Sequence, residues 1–133
     1  MGTSSSGQKP TQGQLQRQLV QKVQKLYRDK LNHTPSDVTC QLLDDKLMVV
    51  IENSVTKPEQ LLLQDGDPER AAQIREDLIA AIRPEMAKLV EDILNRDVVD
   101  ILSDATLETG RTGLVIILSS APDVRSTAKA TSK

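Results

Sequence analysis

Apolar positions along this chain switch between helical and strand spacing, and the switches divide it into elements. Leu15, Leu19, Val23, Leu26 and Tyr27 recur at three- and four-residue steps, with Arg17, Lys22, Lys25 and Arg28 mostly off that line. This spacing predicts an amphipathic helix starting near Gln14. It should end around Leu31 or Asn32, because Pro35 disfavours helical geometry at Thr34. Val38, Cys40 and Leu42 then alternate with Thr39, Gln41 and Leu43, the period of a half-buried strand. Asp44-Asp45 supplies a short turn, and the apolar run Leu47-Met48-Val49-Val50-Ile51 predicts an interior strand paired with the first as a hairpin.

The next apolar run is shorter. Lys57-Pro58-Glu59 resembles a helix start, with proline tolerated in the first turn, and Leu61, Leu62 and Leu63 give it a small patch. Gln64-Asp65-Gly66 breaks the chain before a long helix. Asp67 is placed to cap that helix and Pro68 to occupy its first position. Ile74, Leu78, Ile82, Met86, Leu89 and Ile93 form its main stripe, with Ile79, Val90 and Leu94 as a second row. Pro84 removes a backbone donor in the middle, so a kink is expected there. Two last strands, Val98-Val99-Asp100-Ile101-Leu102 and Leu114-Val115-Ile116-Ile117-Leu118, flank a polar connector at residues 103–113.

The order is therefore α-β-β-α-α-β-β. It predicts an α+β fold with a four-stranded, mainly antiparallel sheet and helices mainly on one face. Residues 14–121 form the expected domain. Residues 1–13 and 122–133 are polar and are expected to be flexible tails.

Composition sharpens this picture. The chain has 133 residues, room for one domain, with 38% hydrophobic and 27% charged residues. Aromatic residues are nearly absent, with one Tyr and no Phe or Trp, so the core must be aliphatic. A small aliphatic core leaves burial to be gained by self-association, and strand edges or the sheet's other face are natural surfaces for a homodimer. A net charge of −2 and the lack of aromatic platforms argue against nucleic-acid binding. The single cysteine, Cys40, has no disulfide partner within the chain and suits a reducing compartment. No apolar run suits a secretory signal or a membrane span, so a cytoplasmic location without membrane insertion is expected.

Candidate chemistry is sparse. His33, the only histidine, has no nucleophile signature beside it and reads as a solvated or capping side chain. Cys40 in a strand pattern reads as a small buried hydrophobe. Asp100, Asp104 and Glu108 are oxygen ligands of the kind hard cations take, but a polar connector explains them more simply, and no metal site is assigned. The best candidate ligand site is the connector itself: Ser103, Asp104, Thr106, Glu108, Thr109 and Arg111 offer hydroxyls, carboxylates and a guanidinium. Arg83 and Pro84 are expected to act structurally, with Arg83 pairing to a nearby carboxylate. No phosphate-binding loop, dinucleotide fingerprint, zinc spacing or catalytic triad is present, so neither a cofactor nor an enzymatic activity is expected.

Several stretches, taken in order, resemble the MpsC-like domain, the C component of a bacterial sodium-translocating, membrane-potential-generating system. They are LYRDKL, DVTCQLLDDKLMVVIENSVTKPEQLLL, IREDLIAAIRPEMAKLVEDIL and VVDILSDATLETGRTGLVIIL. Arg83-Pro84 within the long helix and the SD-x3-ETG connector together carry the resemblance. The family's Gly-x-Gly-Pro turn is replaced here by Asn32-His33-Thr34-Pro35, which keeps only the proline. The resemblance implies a non-catalytic accessory or regulatory protein linked to membrane ion or bicarbonate transport. An anion- or small-molecule-sensing module built on the connector is the alternative.

Overall fold

Capping chemistry decides where each helix begins. A computed structural model describes residues 9–125. Within them run helix α1 (Gln12–Leu31), strands β1 (Asp37–Leu43) and β2 (Lys46–Glu52), helix α2 (Lys57–Gln64), helix α3 (Pro68–Leu94), and strands β3 (Val98–Thr106) and β4 (Arg111–Leu118). This is the expected element order. Helix α1 starts two residues earlier than its apolar pattern, because Thr11 and Gln14 form a reciprocal capping box. Thr56 and Glu59 do the same for α2. Asp67 accepts the Arg70 amide hydrogen bond, and Pro68 opens α3 as expected. Asn32 and Asn95 close α1 and α3 in the left-handed conformation, at φ 51° and 56°.

The four strands form one antiparallel sheet in the order β1-β2-β4-β3. The apolar run of β2 is thus interior, as its composition predicts. Asp44, at φ 57°, turns β1 into β2, and the Asp45 carbonyl accepts the Leu118 amide, tying that turn to the end of β4. Alternation sends Val38, Cys40, Leu42, Leu47, Val49, Ile51, Leu114, Ile116 and Leu118 to one face, where α1 and α3 cover them. Among the described residues, the other face carries no helix.

Two expectations change in detail. Residues 103–113 are mostly strand, not connector: β3 runs to Thr106, β4 starts at Arg111, and only residues 107–110 turn. Ladder pairs Ser103 with Leu114, Asp104 with Gly113 and Ala105 with Thr112 explain why polar side chains persist in regular structure. Helix α3 buries Ala71, Arg75, Ile82, Met86, Val90 and Leu94, so its second row supplies much of the core while Ile74, Leu78, Leu89 and Ile93 are half-buried. Pro84 lies on an exposed stretch and α3 runs through it unbroken. Its missing N–H leaves the Ala80 carbonyl without a helical donor on a side open to water.

The two ends of the described chain meet. Thr11 and Arg125 form a short parallel bridge, with the Arg125 amide donating to the Pro10 carbonyl at 2.8 Å. The expected tails otherwise fall largely outside the described residues.

Candidate functional site

The sheet, α2 and α3 enclose a buried polar cluster. Glu59 is 0% exposed and Arg75 is 4% exposed. Arg75 donates from Nε to Glu59 Oε2 and from Nη2 to Glu59 Oε1, each at 2.7 Å. Its Nη2 also donates to the Ser54 carbonyl at 2.7 Å, and Nη1 donates to Thr112 Oγ1 at 3.3 Å. Glu59 Oε1 further accepts from the Thr56 amide and hydroxyl, both at 2.8 Å. Ser54 and Thr112 share a hydroxyl hydrogen bond, and Ser54 Oγ donates to the Gly110 carbonyl at 3.0 Å. No buried side-chain nitrogen or oxygen among the described residues lacks a partner.

This cluster joins the loop after β2, the start of α2, the first third of α3 and the start of β4. A bidentate guanidinium–carboxylate pair fixes both direction and register, which a point charge does not. Tyr27 from α1 lies over the same group. Burial pushes its hydroxyl pKa up, against the opposing pull of the Arg75 charge and of hydrogen bonding to Thr112 and Arg75. Sequence reading missed the cluster, although two signals were present. Thr56-Lys57-Pro58-Glu59 has capping-box spacing, and Arg75 sits four residues after Ala71 on the stripe that continues to Ile82 and Met86.

Beside the cluster lies an open cleft of about 690 Å³ between the first half of α3, the end of α2 and the hairpin of β3 and β4. Ser103, Asp104, Thr106 and Glu108 line it opposite Arg75, Glu76 and Arg83, with Leu63, Ile79 and Leu107 among its apolar surfaces. Four of the six sequence-selected residues thus border the cleft. Ser103 does so from the helix-covered face, and Asp104 and Thr106 along the β3 edge, where alternation turns their side chains to the helix-free face. The other two do not border it. Thr109 turns toward Thr106, with which it shares a hydroxyl hydrogen bond. Arg111 donates to Glu52 at 2.8 Å; it shares the helix-free face of the sheet with that residue, the face opposite Thr112.

Among the described residues, Arg83 pairs with no carboxylate. It donates from Nη1 to the Ile101 carbonyl at 2.9 Å and from Nη2 to Ser103 Oγ at 3.2 Å. Asp100 accepts the Ile101 amide and Asp104 the Ala105 amide, at 2.9 and 2.8 Å. Together these side chains occupy backbone groups on the outer edge of β3, a device that blunts an edge strand against further pairing. Pro35 is buried at the foot of β1.

The remaining reactive groups are engaged. His33 Nε2 lies 2.6 Å from the Asn53 carbonyl, the geometry of a donated hydrogen bond. Cys40 is buried, and desolvation pushes its thiol up to about 12, so it stays protonated at neutral pH. No group of three or more His, Cys, Asp or Glu side chains among the described residues is placed to hold a metal ion, and Asp100, Asp104 and Glu108 do not converge. None of the described helices is long and apolar enough to cross a membrane.

Neither the curated proteins nor the solved structures contain a match to this chain. Residues 11–120, from the cap of α1 to just past β4, match the family described as the Na+-translocating membrane potential-generating system (MpsC), and the chain belongs to that family.

Proposed function

We propose that this protein is a non-catalytic, homodimeric accessory component that acts from the cytoplasm on a membrane ion or bicarbonate transport system. The observation that carries the reading is membership of the MpsC family over residues 11–120 in a chain whose described helices include none able to span a bilayer. A component of that kind works by contact with a membrane-embedded partner. The non-catalytic part is supported by the groups best suited to chemistry: the Cys40 thiol is held neutral by burial, and the His33 ring is tied to the Asn53 carbonyl. The test is co-purification of the tagged full chain from detergent-solubilised membranes of its native host. Recovery of an integral transport subunit supports the reading, and recovery of the chain alone contradicts it. Light scattering of the purified chain at micromolar concentration tests the dimer separately.

The cleft favours a second reading, a small-molecule sensor. It measures about 690 Å³, the size range of ligand pockets, and is bordered by Ser103, Asp104, Thr106 and Glu108, with Ser103 held by Arg83. Its carboxylates and the engagement of Arg83 with the β3 edge favour a cationic or neutral ligand over an anion. A thermal-shift screen with divalent cations, bicarbonate and nucleotides tests this. A shift abolished by Glu108→Gln supports the cleft, and no shift with any of them removes it.

A further inference from the structure

Gly113 occupies the middle of β4, an interior strand, where glycine weakens a sheet and no side chain is available to pack. Its backbone is not in the left-handed region, and a Cβ built there would meet nothing within 4 Å. Neither conformation nor crowding within the chain therefore requires glycine at this position. A bare strand position of this kind marks close approach by another body.

The surroundings are those of an interface. On the helix-free face, cross-strand rows place Met48 beside Val115 and Leu102, and Val50 beside Gly113 and Asp104. Leu102 is 56% and Val115 38% exposed. Gly113 leaves a depression of about 320 Å³ between them. Polar side chains rim this apolar centre, including Thr39 and Gln41 on β1 and the Glu52–Arg111 ion pair at 2.8 Å. An apolar centre inside a polar rim is the anatomy of a protein contact.

We infer that the helix-free face of the sheet, centred on Gly113, is the contact through which two copies of this chain pair as a β-sandwich. The inference rests on the homodimer proposed above and specifies its surface. The face is complementary to itself. A twofold axis parallel to the strands and between β2 and β4 sets β2 of one copy over β4 of the other, in the near-aligned packing of stacked sheets. Val50 then fills the depression at the partner's Gly113, and Met48 covers the partner's Val115. Glu52 meets the partner's Arg111, so the two in-chain ion pairs join into a four-charge alternation, and Thr39 comes opposite the partner's Asp104. Four strands about 4.8 Å apart, with same-face residues about 6.8 Å apart, give roughly 500 Å² per copy, at the lower bound for a specific interface.

The test uses two substitutions in the full chain, read by light scattering and thermal melting. Gly113→Val should weaken self-association by about tenfold or more by filling the depression, while raising the melting temperature of the monomer, because valine suits a strand and meets open space. Val115→Asp, at an already exposed position, should also yield a folded monomer. A wild-type dimer unaffected by either substitution would place the contact elsewhere and overturn this inference, leaving the homodimer intact. A wild-type monomer would remove both. A lower melting temperature for monomeric Gly113→Val would show an in-chain role for the glycine and likewise overturn the inference.

Discussion

The guanidinium of Arg75 closes on both carboxylate oxygens of Glu59 at 2.7 Å, and both side chains are buried. Removing one partner strands the other charge away from water. Arg75→Ala and Glu59→Ala are each expected to destabilise the protein by about 3–5 kcal/mol, measured by urea unfolding. Arg75→Lys should fail to rescue, because lysine lacks the planar fork that also reaches Ser54 and Thr112. The double change Arg75→Met with Glu59→Leu should cost less than either single removal, since it leaves no orphaned charge.

Arg83 holds the outer edge of β3 through the Ile101 carbonyl and the Ser103 hydroxyl. Arg83→Ala should lower stability by only about 1 kcal/mol, because the side chain is exposed and water replaces part of what is lost. Its larger effect should be on solubility. With one edge carbonyl uncovered, turbidity on prolonged incubation should rise above that of the wild type.

Asp67 caps α3 through the Arg70 amide at 3.3 Å, and α3 supplies Ile82, Met86, Val90 and Leu94 to the core. Asp67→Ala should therefore cost about 1 kcal/mol of global stability. Asp67→Asn should recover most of it, which separates the cap from any charge effect. Thermal melts of the three proteins check this.

Cys40 gives a pH dependence with a definite sign. Its folded value of about 12 lies above the ordinary 9.0, and the cause is burial of the thiol. Below about pH 9 the thiol is neutral in both states and stability does not depend on it. As pH rises from there towards 12, the unfolded chain loses the proton first and stability falls. Tyr27, also raised by burial, adds to the loss at the alkaline end. Cys40→Ala should flatten the decline between about pH 9 and 11 in unfolding experiments. At neutral pH the wild-type thiol should react slowly with a disulfide reagent until denaturant is added.

Much of this architecture was legible from local signals. The Asp67-Pro68 start of α3, the alternation of β1 and the apolar run of β2 each follow from chemistry within a few residues. What escaped depends on groups distant in sequence. Arg75 meets Thr112 across 37 residues, and Ser54 meets Thr112 across 58. Neither Arg75 nor Glu59 is singled out as one of a pair by its near neighbours in sequence; folding supplies each with the other. Residues 103–113 read as a loop because their side chains are polar, yet only 107–110 turn: 103–106 end the outer strand β3, where Asp104 caps a backbone amide, and 111–113 begin the interior strand β4. Arg111 was grouped with the cleft by proximity in sequence, but alternation along β4 turns it to the opposite face from Thr112. A period of two separates neighbours that a motif reading joins.

The bridge between Thr11 and Arg125 brings the ends of the folded region within hydrogen-bonding distance at one corner. The chain is therefore nearly circular in space. A short linker joining those ends, with new ends cut at the Asp44-Asp45 turn, should give a permuted protein that keeps the same core. For the same reason, a label or fusion attached through either end of the folded region starts from that one corner, away from the centre of the bare sheet face.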